Sequence, residues 1–350
     1  NRFPILKCWP LDGGRFITYP LVVSVDPRTG KRNLGLYRMQ VFSRNETGMH
    51  WHIHKDGASH FHWARKRGEI LPVSVAIGAD PVTCYCASAP LPAGFDELLF
   101  AGFIRSKPVE LVKCKTNDLL VPAQAEIILE GYVDPREPLR LEGPFGDHTG
   151  YYSLEDYYPV FHITAITHRK NPIYHTTIVG KPPQEDYFLG YATVRIFLPM
   201  IKLVLPEVID MCCPPEGVFH NCVIVSIEKR YPVQARKVMA GLWGMNQMSF
   251  AKLIIVVDAD CPVEDLHEVA FRAFNNVDPK RDIMFFEGPV DVLDHSAPLP
   301  TFGAKIGVDA THKIEGEGAR QPWPDQILMS DDVKKKMDAL WAGIVGSLSR

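Results

Sequence analysis

The sequence contains no G-x-G-x-x-G, no G-x-x-x-x-G-K-[ST] and no G-x-S-x-G. Dinucleotide-binding, P-loop and α/β-hydrolase readings therefore have no local support. Cysteine is scarce, eight in 350 residues, and none falls in a C-x-x-C. Cys84-Tyr-Cys86 and Cys212-Cys213 lack zinc-knuckle spacing, so the cysteines read as reduced thiols of a cytoplasmic protein. Neither sign of charge is in excess: 38 Lys and Arg stand against 41 Asp and Glu, a net charge of −3. A nucleic-acid partner, which needs clustered positive charge, is not expected. Mean hydropathy is −0.06. No apolar run approaches the ~18 residues of a membrane span, so no transmembrane segment is expected. The first residue is Asn1 rather than Met, and no signal peptide precedes it. A fragment whose beginning is missing is the expectation.

What is present is enough apolar material, 46% of residues, for the cores of about two domains. Residues 16–180 read as strand-rich. Segments 16–25 and 33–42 flank the turn cluster Asp26-Pro-Arg-Thr-Gly30, a hairpin signature. Residues 72–77, 125–133 and 160–167 share the β-branched character of strands, and 57–67 is the main helical stretch. Many short strands at this spacing point to a barrel or sandwich. Beyond Gly180-Lys-Pro-Pro183 the pattern changes. Helices are expected over 185–205, 232–243 and 262–272, alternating with strands over 222–227 and 252–257, which is an α/β layer domain. A last helix, 330–348, is a candidate arm for a partner.

Three constellations can carry chemistry. His50, His52 and His54 would share one face of a strand, with His60 and His62 close behind. They are either a metal platform or ordinary hydrogen-bonded histidines. Glu142-Gly-Pro-Phe-Gly-Asp147-His148-Thr-Gly150 sets two carboxylates around a glycine-rich turn. If the two interact, one pKa rises into the range of acid/base work; otherwise this is a loop with solvated acids. Arg38, leaving an apolar strand, is either an anchor for a carboxylate or phosphate or half of a surface ion pair. Glu97 by itself belongs on the solvent face of an amphipathic helix.

Taken in order along the chain, Lys7-Cys-Trp-Pro10, Asn33-Leu-Gly-Leu-Tyr-Arg38, Ile77-Gly-Ala-Asp-Pro81, Glu97-Leu-Leu-Phe-Ala-Gly102, Val109-Glu-Leu-Val-Lys-Cys114, Val121-Pro-Ala-Gln-Ala-Glu126, Glu142-Gly-Pro-Phe-Gly-Asp-His-Thr-Gly-Tyr-Tyr152, Gly180-Lys-Pro-Pro183 and Gly307-Val-Asp-Ala310 resemble the UbiD family of prenylated-FMN-dependent decarboxylases. The resemblance implies an α/β fold with a β-barrel: a central split barrel of the flavin-reductase kind, here 1–183, then a C-terminal α/β oligomerisation domain, 184–312, and an arm with a helix, 313–350. The family's N-terminal α/β domain is expected to be missing. Homodimers, assembled further into hexamers in some members, are implied.

The resemblance also assigns roles. The family's divalent metal, usually manganese, would sit on Asn33, His54 and Glu97, with potassium as a further candidate ion. Prenylated FMN would be contacted by Leu36, Tyr37, Arg38, His50, Trp51, His52, Lys55 and Asp56. The catalytic trio would be Arg38, Glu142 and Asp147, the last an Asp as in hydroxybenzoate-type members. The implied reaction is reversible, non-oxidative decarboxylation of a hydroxybenzoate- or naphthoate-like acid, in ubiquinone or menaquinone biosynthesis or in aromatic acid metabolism. A flavin prenyltransferase would supply the cofactor, and the protein would be cytoplasmic, peripheral to the membrane where its substrate is prenylated. Two other classes compete: an FMN-dependent split-barrel oxidoreductase, and a non-catalytic assembly subunit.

Overall fold

The computed structural model describes residues 3–53, 55–92 and 94–348, with residues 343 and 346–348 by backbone alone. The first half begins with β1 (Phe16–Ile17), β2 (Leu21–Val25), β3 (Arg32–Leu36), β4 (Met39–Gln40) and β5 (Glu46–Gly48), then helix α1 (Asp56–Arg67) and β6 (Leu71–Ile77). Helices α2 (Pro81–Cys86) and α3 (Glu97–Arg105) follow, with β7 (Leu111–Lys113), β8 (Leu120–Pro122) and β9 (Ile127–Val133). Short strands β10 (Arg140–Glu142), β11 (Phe145–Gly146), β12 (Tyr152–Ser153) and β13 (Asp156–Tyr158) lead into β14 (Val160–His168).

These strands form an antiparallel six-stranded sheet in the order β3-β2-β6-β9-β14-β5. Successive strand residues point to opposite faces. Here both faces are apolar, which is why β2 and β6 read as near-continuous hydrophobic runs. Val22, Val73, Val75 and Leu129 face one core, which includes Ala64 of α1. Leu21, Val23, Ala76 and Ile128 face the other, with Leu98 of α3 and Val121 of β8. Strands β3 and β5 end the order without pairing to each other. The closed barrel that the strand spacing suggested is therefore not formed among the described residues; the sheet is open.

Two long extended segments also break. Residues Thr18–Pro20 separate β1 from β2, because Pro20 has no N–H for a ladder. Tyr37 and Arg38 separate β3 from β4, so Arg38 emerges from a kink rather than from a strand. Residues 49–53 are irregular, not the expected strand; the His50 N–H donates to the Arg38 carbonyl at 3.3 Å.

The second half comprises α4 (Glu185–Val204), β15 (Val208–Cys212), β16 (Cys222–Ile227), α5 (Gln234–Trp243), β17 (Leu253–Asp258), α6 (Leu266–Asn276), β18 (Ile283–Pro289), β19 (Phe302–Asp309) and α7 (Asp331–Leu348). Its sheet runs β15-β16-β17-β19-β18, with a parallel centre and antiparallel edges. One face packs on α4 and α5 through Val194, Ile201, Val238 and Leu242; the other packs on α6 through Val269. The α6 helix starts at Leu266 rather than at Pro262, where Asp265 caps it by accepting from the N–H groups of His267 and Glu268. All eight cysteines are free thiols.

By length and composition alone helix α4 is apolar enough to cross a membrane; no clear transmembrane span is present among the described residues. Gly190, Val194 and Ile201 are the helix's buried residues. Phe188, Met200, Leu203 and Val204 remain exposed, as do Val333, Met337, Leu340 and Trp341 on α7.

Leu21 is fully buried in the sheet core. Leu21→Ala is expected to cost about 2–5 kcal/mol, read as a lower urea midpoint at unchanged slope. A midpoint indistinguishable from wild type would contradict that packing.

Candidate active site

Arg38 occupies the kink after β3, and three acceptors converge on its guanidinium. Its Nε donates to Glu142 Oε1 at 3.1 Å, Nη1 to Asp147 Oδ2 at 2.5 Å and Nη2 to Ser153 Oγ at 3.1 Å. The group also lies 4.4 Å above the Phe145 ring. Glu142 ends β10 and Asp147 follows β11, so one short turn delivers both acids. Gly143 takes φ +105° in that turn, a conformation that favours glycine. A Cβ at Gly48 of β5 would come 2.7 Å from Glu142 Oε2, so a side chain there would crowd the carboxylate.

Glu142 and Asp147 are 1% and 6% exposed, and Arg38 is half-buried. Burial alone pushes each carboxyl up, but its partners win. The His50 hydrogen bond and Arg38 hold Glu142 below the usual range; the His148 hydrogen bond and Arg38 hold Asp147 well below it. Both acids are thus anionic in the resting protein, as buried charges can be only when paired.

A chain of histidines extends the cluster. His50 Nδ1 is 2.7 Å from Glu142 Oε1, and His50 Nε2 is 2.5 Å from His52 Nε2. Burial pushes both imidazoles down, reinforced at His50 by Arg38 and at His52 by His50. With both rings neutral, His52 donates to His50 and His50 donates to Glu142. Glu142 Oε2 is buried and has no hydrogen-bond partner.

A cavity of about 380 Å³ lies between the two halves; Tyr37, the residue before Arg38, and Asp186, beside His148, belong to its wall, while Arg38, His50, His52, Glu142 and Asp147 do not. Its volume is within the usual size of a small-molecule site. Asn33, Leu36, Tyr37, Lys55, Asp56 and Glu97 line it from the first half. Asp186, Gly190, Phe219 and His220 line it from the second. The staple behind the first wall is an ion pair from Arg32 to Asp96 at 2.5 Å. Asp96 also caps α3, accepting from the Leu98 and Leu99 N–H groups. Asn33 and Glu97, the residues next to that pair, are thereby fixed on one wall. Glu97 is buried, contrary to its reading as a solvent-face residue; it accepts from the Leu34 N–H at 3.0 Å, and burial raises it to about 7.

The residues assigned by resemblance thus divide. Arg38, Glu142, Asp147, His50 and His52 form one cluster. Leu36, Tyr37, Lys55, Asp56, Asn33 and Glu97 line the adjoining cavity. Trp51 lies behind the wall in the sheet core, its ring 6.4 Å from that of Tyr37. His54 lies outside the described residues, among which no three His, Cys, Asp or Glu side chains gather as a metal site. His60 and His62 belong to α1, where the buried His60 bonds Ser24 at 2.9 Å and His62 is exposed. Ser153, Phe145, Asp186 and His220 were missed. The first two lie in or just beyond the Glu142–Tyr152 motif; the last two carry no local signal.

Residues 1–182 match the family model for the 3-octaprenyl-4-hydroxybenzoate carboxy-lyase Rift-related domain, and 187–310 match the C-terminal domain of the same carboxy-lyase. The chain belongs to the UbiD family. An uncharacterized protein of Archaeoglobus fulgidus is 56% identical over 343 residues, covering 97% of this chain and 71% of its own length. One from Aquifex aeolicus is 55% identical over 338 residues, covering 97% and 70%. Among solved structures, the closed form of vanillic acid decarboxylase from Sedimentibacter hydroxybenzoicus superposes with a TM-score of 0.88 at 30% identity, covering 98% of this chain and 73% of that one. The UbiD-class enzyme HmfF from Pelotomaculum thermopropionicum in complex with FMN gives 0.85 at 30% identity, covering 95% and 73%. This UbiD-family chain is accordingly a carboxy-lyase, of a family of aromatic acid decarboxylases with a mixed α/β fold.

Removing Arg38 would leave two buried anions without their shared cation. Arg38→Ala is expected to cost on the order of 3 kcal/mol at pH 7. Without Arg38 the folded-state pKa values of Glu142 and Asp147 rise, so the deficit shrinks as the pH is lowered and the acids protonate. Urea titrations of both proteins at pH 7 and pH 5 check it; a deficit that grows on acidification would contradict the pairing.

Proposed function

We propose that this protein removes the carboxylate of an aromatic carboxylic acid as CO₂, without net oxidation, using prenylated FMN. The observation that carries the reading is one guanidinium held between two buried anionic carboxylates, one residue beyond Tyr37 on the wall of a ligand-sized cavity. In chemical terms the cavity suits a flavin. It offers an apolar and aromatic edge at Leu36 and Tyr37, charged groups at Lys55 and Asp56, and an amide and a carboxylate at Asn33 and Glu97. Asn33 and Glu97, joined by His54, would hold a divalent cation such as Mn²⁺ against the cofactor's phosphate, since oxygen donors suit such ions. When bound, the prenylated flavin supplies the electron sink for loss of CO₂.

The protein's own residues then have distinct tasks. Arg38 uses three of its five N–H donors on Glu142, Asp147 and Ser153. The two that remain can grip the substrate carboxylate, a geometry for which a guanidinium fork is suited. An incoming carboxylate competes with Asp147 for Arg38 and adds like charge nearby, and both effects raise the Asp147 pKa. Asp147 is thereby loaded with the proton that replaces CO₂. Glu142, held by the His50–His52 chain, keeps Arg38 in place.

The division into a cofactor domain over 1–183, an oligomerisation domain over 184–312 and an arm over 313–350 goes with this reading. So do homodimers or hexamers, a flavin prenyltransferase as supplier, a cytoplasmic location, and a substrate of the hydroxybenzoate or naphthoate kind as in quinone precursors. Asp147→Asn keeps the shape but cannot deliver the proton. It is expected to retain bound flavin and to lose CO₂ release by at least about 100-fold, followed by absorbance and by trapping of released CO₂. Wild-type turnover in that variant would remove Asp147 from its role.

A further inference from the structure

Decarboxylation consumes a proton in every cycle. The bond from the ring carbon to the carboxylate breaks, CO₂ leaves, and a C–H bond forms at the same carbon. Asp147 can supply that proton once; it is then an anion with 6% exposure and must be reloaded. A route for protons into the cluster is therefore a requirement of the stoichiometry.

Three features converge on one side chain. His148 Nδ1 lies 2.9 Å from Asp147 Oδ1, and the His148 backbone N–H donates to the same oxygen at 2.8 Å. The same Nδ1 is 3.9 Å from Asp186 Oδ2, a gap that a carboxyl rotation or one water closes. Asp186 belongs to the first turn of α4 and lines the cavity, so it is the member of this set that solution reaches. Around the ring stand Phe219 and His220, each 5.5 Å away between centroids. They are delivered by a loop in which Val218 and Phe219 adopt φ values of 50° and 48°. A β-branched residue rarely accepts that conformation, and strain of this kind gathers at functional sites.

We propose that His148 is the proton-relay residue for Asp147, taking a proton at Nδ1 from Asp186 and passing it on each time Asp147 has been spent. The proposal rests on the decarboxylase reading. Its steps balance without any oxidant or further reactant. The electron pair left at the ring carbon takes the Asp147 proton, and the Asp147 carboxylate takes the Nδ1 proton of the imidazolium. The neutral ring takes one from the Asp186 carboxyl, and Asp186 takes one from cavity water. Because His148 loses and regains its proton at the same nitrogen, Nε2–H stays protonated and no ring flip is needed. His148 acts through Asp147 and positions it as well, since ring and backbone N–H both fix Oδ1.

The surrounding charges suit the task. Burial by itself pushes His148 down, but Asp147, Asp186 and Asp291 together carry it up to about 9. Glu185, beside Asp186 on α4, adds to the same field. His220 faces the ring as a neutral imidazole, lowered to about 4 by burial, with Asp291 at 3.8 Å from its Nε2. Burial raises the Asp186 carboxyl from its ordinary range, which eases its carrying a proton in transit, while its resting negative charge helps to lift His148.

Two measurements test the relay. In the full-length wild-type protein labelled with ¹⁵N-histidine, one ring, identified by its loss in His148→Gln, is expected to remain imidazolium at pH 7.5. It should deprotonate near pH 9, and in Asp186→Asn at lower pH. A ring already neutral at pH 7.5 overturns the proposal, whatever the enzyme's activity. In flavin-loaded enzyme, the wild-type rate is expected to fall as the pH rises through about 9. His148→Gln should lower kcat at least about tenfold, leave KM within a few-fold, and abolish that alkaline limb. If His148→Gln folds poorly, His148→Asn and the wild-type titration carry the same test. Wild type that releases CO₂ beside a His148→Gln variant of unaltered pH profile sinks the relay alone. Wild type that releases none sinks the decarboxylase reading, and the relay with it.

Discussion

Two carboxylates cannot share a dry site as anions unless a cation stands between them, and that constraint organises the first half of this protein. Arg38 is the cation. The cost of drying Glu142 and Asp147 is met by that shared guanidinium together with His50 at Glu142 and His148 at Asp147, and the backbone around Arg38 lets it reach both acids. Strand β3 breaks at Tyr37-Arg38 and resumes at Met39, a kink that lets one residue leave the sheet toward the Glu142–Asp147 turn. On the opposite side, Gly48 and Gly143 remove the two places where a Cβ or a strained φ would stop the acids from closing on it.

The two halves of the chain divide the work. The open antiparallel sheet is buried on both faces; Arg38 leaves it after β3 and His50 after β5, its two end strands, while Glu142 and Asp147 come from the short strands β10 and β11. The second half brings α4 and the 218–220 loop to the cavity's other wall. A site assembled this way combines a stiff charge cluster with an approach surface contributed by another layer. The polar residues of that second surface, Asp186 and His220, face the cluster across His148 rather than touching Arg38 directly.

Much of the cluster was legible because Glu142 and Asp147 fall within one short motif. Their partner was not, since Arg38 is 104 and 109 residues away and no local pattern links such positions; only the likeness to a known family did. The histidine run misled in an instructive way. Alternation argues for a strand, yet His50 spends its backbone N–H on Arg38 and its ring on Glu142, so tertiary contacts override the period of two. Glu97 failed for a related reason. Helical periodicity assigned it to solvent, and the Arg32–Asp96 staple turned that end of α3 inward. The barrel was the expected closure for many short strands, but strand content does not dictate pairing of the last edge, and here β3 and β5 stay apart. Asp186 and His220 lie in a half of the chain whose local pattern is that of any α/β layer.

The charge balance of the cluster connects these observations to the chemistry. Arg38 and the His148 imidazolium are two cations; Glu142 and Asp147 are two anions; the resting set is neutral. In the proposed reaction, a substrate carboxylate adds a negative charge that the set can absorb by taking up one proton on an acid, and Asp147 is the acid whose hold on Arg38 the newcomer would weaken. Loss of CO₂ carries no charge away, and transfer of the proton to carbon leaves a neutral product and an anionic Asp147. The cluster then has its resting charges again only if the proton that entered with the substrate came from outside rather than from His148. On this reading, a buried acid paired to an arginine needs a group that can refill it, and a histidine flanked by a cavity-lining aspartate would meet that need where a second arginine, which never gives up its proton, would not.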